Sequence, residues 1–156
     1  NAGPTERARQ RLSKRTAWRV AGPVAKPESV ALAHRCVELI SARCKRTLAR
    51  SQGASRDGEL FVRDHYGSSK YLSVFVRRGE NIVKVAQIWP LALTNSFHVQ
   101  LQGLTQEALR EMIPPQYEVV LWSDRKPRVV VKSVDEVGIS YVARAVAKRM
   151  EAESAL

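Results

Sequence analysis

The stretch 63-RDHYGSSKYLSVFVRR-78 predicts a hairpin of two strands, 59–66 and 70–78, joined by the short polar turn Gly67-Ser68-Ser69. A turn of three residues requires antiparallel pairing, so this stretch sets the class of the sheet. In the register set by the turn, one face collects the apolar side chains Leu60, Val62, Leu72, Val74 and Val76. The other face pairs Phe61 with Phe75, Arg63 with Ser73 and His65 with Tyr71, and Arg77 continues it.

The second face of this hairpin has two interpretations. Aromatic rings beside arginines are typical of sheets that bind single-stranded nucleic acid, where rings stack on bases and guanidinium groups contact phosphates. On that interpretation the binding residues are Arg63, Tyr71, Phe75 and Arg77. Alternatively, helices cover both faces of the sheet, and the two phenylalanines are ordinary core residues. No RNP-type consensus accompanies the hairpin, so no known RNA-binding module is indicated.

Further strands are predicted on either side of a short connecting helix. They are 82–89, 97–102, 117–123 and 128–132. The strand 97–102 alternates apolar and polar residues, which is typical of a strand with one buried face. The register of strand 82–89 is left open, because a slip of one residue decides whether Lys84 or Val85 joins the aromatic side of the hairpin.

Three helices complete the predicted elements. Apolar residues three and four apart predict the first over 28–50. Thr105 is suited to cap a short helix at 106–113. The string Ser133-Val134-Asp135-Glu136 has the form of a capping box and predicts a last helix from there to about Ala152, with Val137 facing inward. The order α-β-β-β-β-α-β-β-α predicts an α+β domain with an antiparallel sheet of five to six strands, two longer helices and one short helix.

The charge of the chain is strongly positive. It has 26 Lys and Arg against 15 Asp and Glu, a net charge of +11. Such a field attracts polyanions, which makes nucleic acid the leading partner class and an anionic membrane surface the second. Two groups of basic residues are candidate phosphate contacts: Arg7, Arg9, Arg11, Lys14, Arg15 and Arg19 near the start, and Arg43, Arg46 and Arg50 on one face of the first predicted helix.

The first 27 residues differ from the rest in composition. They carry seven basic residues and one acidic residue, a net +6, with few apolar side chains. We expect 1–27 to be a basic flexible arm or linker and 28–156 to be one α+β domain. The start Asn1-Ala2 is typical of the remainder of a cleaved tag; in that case the chain is a fragment and the arm is an interdomain linker.

Two cysteines, Cys36 and Cys44, fall on the first predicted helix. Eight residues at ~1.5 Å per residue separate them by about 12 Å, too far for a disulfide, so both are expected to be reduced. Reduced thiols are typical of a cytoplasmic protein. No apolar run approaches the ~20 residues of a membrane-spanning helix.

Evidence for catalysis is weak in this sequence. Asp124-Arg125-Lys126 matches the acid-x-Lys string of metal-dependent nucleases of the PD-(D/E)xK type, with Glu118 or Asp64 as a second acid, but it is equally an ordinary polar turn before Pro127. The three histidines lie on separate predicted elements, and no zinc spacing or phosphate-binding glycine loop occurs. We therefore assign no catalytic residue, no metal and no cofactor.

Three functions follow from these features. The first is a non-catalytic nucleic-acid-binding module of low sequence specificity, acting through the basic arm and the arginine patches. The second is a protein-interaction domain of a larger multidomain chain. The third is a metal-dependent nuclease.

Overall fold

A computed structural model describes residues 24–44, 48–50, 60–65, 71–123 and 127–154. Its elements in chain order are α1 Pro27–Cys44, β1 Leu48–Arg50, β2 Leu60–His65, β3 Tyr71–Arg78, β4 Asn81–Pro90, β5 Phe97–Leu101, α2 Gln106–Met112, β6 Val119–Ser123, β7 Pro127–Val134 and α3 Ile139–Ser154. Apart from the three-residue β1, this is the predicted α-β-β-β-β-α-β-β-α order. The predicted basic arm lies outside the described residues up to position 23.

The strands form one sheet in the order β1-β2-β3-β4-β5-β7-β6. Strands β2 to β7 pair antiparallel, which confirms the predicted sheet. The short β1 adds a parallel pairing at the edge, with Leu48 opposite Leu60. Because β7 lies between β5 and β6, residues far apart in sequence are brought onto neighbouring strands.

The β2–β3 hairpin has the register that the sequence predicts. Phe61 pairs with Phe75, Val62 with Val74, and His65 with Tyr71. A slip of one residue would turn the whole apolar set to the opposite face, so burial of that set specifies the register strongly. The turn at 67–69 lies outside the described residues.

A register shift between β3 and β4 answers the question that the sequence left open there. Val74 pairs with Ala86, whereas the next residue, Phe75, pairs with Lys84. Val85 is therefore the extra residue of a β-bulge, and both it and Ala86 are fully buried. Lys84 accordingly lies on the aromatic side of the hairpin.

The first helix is shorter than the sequence predicts. It ends at Cys44, and Leu48–Arg50 form strand β1 instead of a further helical turn. Strand pairing to β2 satisfies the backbone groups of these residues at the sheet edge, which outweighs their helical propensity. The prediction that Arg50 lies on the arginine face of this helix is therefore wrong, because Arg50 is on a strand. Arg43 does lie on the helix.

The predicted capping box before the last helix is also wrong. Strand β7 continues to Val134, which pairs with Phe97, and Ser133 has a positive φ of 51°. Asp135 takes the capping role, because its Oδ1 accepts a hydrogen bond from the Gly138 N–H at 3.1 Å. The helix then begins at Ile139, and Val137 is 64% exposed rather than inward.

The hydrophobic core lies between the helices and one face of the sheet. Helical contributors include Cys36, Val37, Ile40, Leu109, Val142, Val146 and Met150; strand contributors include Leu60, Val62, Leu72, Val74, Ile88, Val99, Leu101, Val119, Val129 and Val131. Alternation of side chains along each strand and pairing between strands place these strand residues on the side of the sheet that faces the helices. Phe61 and Val130 are buried but lie on the other side and outside this core. The three described helices thus pack on a single face.

Candidate nucleic-acid interface

The sheet face turned away from the described helices carries aromatic and basic side chains together. We call it the aromatic face. By strand alternation and pairing it contains Phe61, Arg63, Tyr71, Ser73, Phe75, Arg77, Ile82, Lys84, Gln87, Trp89, His98, Gln100, Val120, Trp122, Arg128, Val130 and Lys132. It unites the hairpin face singled out in the sequence with residues from three further strands.

Two groups of rings lie on the aromatic face. Phe61 and Phe75 stack across β2 and β3, with centroids 5.4 Å apart and an interplanar angle of 16°. Tyr71 lies 6.3 Å from Trp89, and Trp89 lies 6.4 Å from Trp122, both pairs tilted. The second group therefore extends from β3 to the edge strand β6. Such pairs add stabilisation beyond their buried area, so the rings hold one another in place.

Trp89 and Trp122 make contact although their strands are not neighbours in the sheet. The two residues lie on β4 and β6, with β5 and β7 between them. Three strand spacings of ~4.8 Å would hold their backbones about 14 Å apart, so the indole rings must lean toward each other above β5 and β7. Gln100 and Val130, which pair on those two strands, are buried at 4% and 0% exposure. The centre of this face is therefore withdrawn from solvent.

The charge on the aromatic face is positive. Its cations are Arg63, Arg77, Lys84, Arg128 and Lys132, and no aspartate or glutamate occupies a position on this face of the described strands. Glu118, which precedes β6, approaches Lys132 with an N–O distance of 3.9 Å. Within the described residues Arg63, Lys84 and Arg128 have no ion-pair partner. Cations that are not neutralised locally create a field that attracts anions.

His98 fixes the irregular part of β7. Its Nδ1 accepts a hydrogen bond from the backbone N–H of Ser133 at 3.0 Å, next to the position of positive φ. Burial lowers the pKa of His98, and the positive charge of Lys132 lowers it further. The imidazole is therefore held in the neutral form that can accept this bond.

The predicted binding residues fall into three groups. Arg63, Tyr71, Phe75 and Arg77 come together on the aromatic face. Arg43 is exposed on α1, in the helical layer on the other side of the sheet. Arg50 is on β1, where its side chain is outside the described part. Arg7, Arg9, Arg11, Lys14, Arg15, Arg19 and Arg46 also lie outside the described residues.

Sequence reasoning missed much of this face. Trp89, Trp122, Arg128 and Lys132 were not predicted to belong to it, and Lys84 was left as one of two alternatives. Alternation within 81–90 and 119–123 would have placed each tryptophan opposite the apolar face of its own strand. Only the strand order, with β7 inserted between β5 and β6, shows that the two rings share a surface.

The nuclease hypothesis gains little from the described residues. Asp124, Arg125 and Lys126 lie outside them. Asp64 is on β2, which is five strand spacings, on the order of 24 Å, from β6 along the sheet. Glu118 precedes β6, whereas the acid-x-Lys string follows it, and within the described part of the chain no three His, Cys, Asp or Glu residues cluster as metal ligands.

Both cysteines are free thiols. Complete burial raises the pKa of Cys36 to about 12, which keeps the thiol protonated and unreactive. The Cys44 Sγ lies 3.6 Å from the Sδ of Met150, so this side chain packs α1 against α3. Neither thiol lies on the aromatic face.

Comparison of the chain with protein-family models, curated proteins and solved structures found no match. In the described part of the chain, no helix has the length and apolar character needed to cross a membrane. The case for a function therefore depends on the chemistry of the aromatic face.

Proposed function

We propose that this protein is a non-catalytic nucleic-acid-binding module that binds a single strand on the aromatic face. One observation carries the proposal: Arg63, Lys84 and Arg128, which have no ion-pair partner within the described residues, share a face with the Trp89–Trp122 pair. No described helix packs on that face. Stacking rings interleaved with cations are what sequence-tolerant binding of single strands requires.

The rings and the cations have separate roles in this proposal. Trp122 is 44% exposed on the edge strand and offers a surface on which a base can stack. Stacking on an aromatic side chain is worth about 1–3 kcal/mol per base and does not depend strongly on base identity. The cations bind phosphates by releasing counterions, which makes the affinity strongly dependent on salt. Low sequence specificity follows from both.

The basic residues that precede α1 extend this proposal. We assign Arg7, Arg9, Arg11, Lys14, Arg15 and Arg19 to additional phosphate contacts, because their segment carries more than half of the net charge of the chain. Such contacts add affinity without sequence information. We assign a secondary set of phosphate contacts to Arg43, Arg46 and Arg50, because Arg43 lies on the helical side of the sheet.

The direct test is fluorescence anisotropy with a labelled single strand of roughly 16 nucleotides, the upper site size for one small binding domain. Arg128→Ala is compared with Arg144→Ala, which removes the same charge from an exposed position on α3. We expect salt-sensitive binding that is weakened by Arg128→Ala and little changed by Arg144→Ala. Absence of binding at low salt, or equal losses in the two variants, would contradict the proposal.

A protein-interaction surface is the second candidate function. Val24 and Leu93 are 80% and 89% exposed, on segments that meet beside the start of α1. The Lys26 N–H donates to the Leu91 carbonyl at 3.1 Å, and the Ser29 hydroxyl donates to that of Thr94 at 2.7 Å. A cavity of about 430 Å³ lies between this start and the turn at 135–137. This surface is on another part of the molecule, so Leu93→Ser should leave oligonucleotide binding intact and weaken only a protein contact.

A further inference from the structure

Gln100 is a buried polar residue at the centre of the aromatic face. Its side chain is 4% exposed, and its Oε1 has no hydrogen-bond partner in the described part of the chain. Buried polar groups in folded proteins are nearly always paired, because an unmade bond costs the desolvation of the group. Such an unpaired group requires an explanation, and a functional position where a ligand supplies the missing partner is one of those known.

Gln100 has neighbours in the strands on either side of it and two aromatic rings on the same face. Gln87 on β4 and Val130 on β7 are its neighbours in the sheet. The indole rings of Trp89 and Trp122 meet across the same two strands, β5 and β7. The unpaired amide oxygen therefore belongs to the same face of the sheet, and to the same strands, that the two rings span, and rings of this kind stack on nucleobases.

The two rings must separate before a base can lie between them. Stacked bases repeat at about 3.4 Å, so a base held between two parallel rings needs a centroid separation of about 7 Å. The centroids of Trp89 and Trp122 are 6.4 Å apart, with an interplanar angle of 41°. At that distance and angle the two rings are in contact with each other, so Trp122 must move away from Trp89 before a base can enter between them.

The two tryptophans differ in their freedom to make this movement. Trp89 is partly buried and contacts the ring of Tyr71 on its other side. Trp122 is exposed and lies on β6, the last strand of the sheet. Trp122 is thus the ring that can turn outward while Trp89 stays in place.

We propose that an unpaired nucleobase enters between Trp89 and Trp122 and donates an N–H to the Oε1 of Gln100. This inference rests on the proposed function and names the part of the nucleic acid that the site reads. Every standard base carries an N–H donor on the edge that is used for pairing in a duplex. The site therefore selects unpaired bases over duplex without selecting a sequence.

The test is Gln100→Met, which keeps the length of the side chain and removes the amide. The thermal midpoint should stay unchanged or rise, because an unpaired buried polar group is lost. Affinity for the single strand should fall roughly five- to tenfold, the effect of one net hydrogen bond. The salt dependence should not change, because no phosphate contact is altered.

A second measurement keeps the inference testable if this variant folds poorly. The wild-type protein is titrated with a strand of equal length and charge in which a central run of nucleotides lacks bases. We expect at least a tenfold loss of affinity, and we expect Gln100→Met to have no further effect on that strand. The matched control is again Arg144→Ala, which should bind both strands like the wild type.

The outcomes separate the inference from the function on which it rests. If the wild type binds normal strands but Gln100→Met lowers only the thermal midpoint, the base-reading role is wrong and binding on the face stands. Equal binding of normal and base-free strands also contradicts it. If the wild type binds no strand at all, the proposed function itself fails.

Discussion

Lys84 pairs with Phe75 across β3 and β4, one position out of step with the neighbouring pair Val74 and Ala86. This bulge buries Val85 in addition to Ala86 and turns the ammonium-bearing side chain of Lys84 to the aromatic face. The core gains an apolar residue and the opposite face gains a cation from the same irregularity. β-bulges are often found where a strand must re-aim a side chain for function.

We expect Lys84→Ala to reduce the salt dependence of single-strand binding. Each phosphate contact contributes about −0.7 to the slope of log K against log salt for single strands, so the loss of one contact should lower the magnitude by about that amount. Anisotropy titrations at several salt concentrations measure it. A slope equal to that of the wild type would show that Lys84 contacts no phosphate.

We expect Trp122→Ala to weaken single-strand binding by about 1–3 kcal/mol, the loss of one stacked base. Some stability should be lost as well, since the ring is 44% exposed and contacts Trp89, so thermal unfolding is used to confirm that the variant is folded under the binding conditions. The matched control is Leu121→Ala, which removes a similarly exposed side chain, at 48%, from the other face of the same strand. Similar losses of affinity in both variants would place the binding surface elsewhere.

We expect the free energy of unfolding to fall as the pH drops below about 6.5, the ordinary pKa of histidine. Burial, and then the charge of Lys132, lowers the pKa of His98 in the folded protein, so the unfolded chain binds the proton first. The stabilisation that depends on neutral His98 is fully present above pH 6.5. Below that pH the free energy of unfolding falls by up to about 1.4 kcal/mol per pH unit, and by less than this because His98 is partly exposed.

Urea unfolding of the wild type and of His98→Asn between pH 7.5 and 5.5 measures this contribution. The asparagine keeps an acceptor for the Ser133 N–H and removes the titrating group. Its stability should depend less on pH than that of the wild type. Parallel curves for the two proteins would assign the pH dependence to other groups.

We expect Asp135→Ala to destabilise the fold by about 1–2 kcal/mol, the usual cost of a lost helix cap. The Asp135 carboxylate accepts hydrogen bonds from the Gly138 N–H and from the Tyr117 hydroxyl. Thermal unfolding measures the change. Glu136→Ala is the control, since its 2.8 Å pair with Arg35 is exposed and such pairs contribute up to about 1 kcal/mol. A larger loss in the control would contradict the capping role.

The same substitution should shift the titration of Tyr117. Burial raises the pKa of Tyr117 to about 12, assisted by the hydrogen bond and the negative charge of Asp135. Removing the carboxylate should therefore lower that pKa toward 10, the ordinary value for tyrosine. Absorbance titration of the phenolate follows it, and an unchanged titration would show that burial alone sets the pKa.

Local sequence patterns predicted the hairpin correctly but placed the end of α1 and the start of α3 wrongly. The β2–β3 register follows from alternation over a few residues and a short turn. The end of α1 and the start of α3 depend on partners far away, since Leu48 pairs with Leu60 and Val134 pairs with Phe97. Strand pairing at those positions overrides signals that favour a helix locally.

Apart from strand β1, the sequence by itself determined the elements, their order, the hairpin register and the positive charge, because these depend on composition and on spacings within single segments. The tertiary structure alone decided that the described helices pack on one side and that Trp89 meets Trp122 on the face that also holds the buried Gln100. These relations depend on the placing of β7 between β5 and β6. Such long-range pairings have no signature in the local sequence.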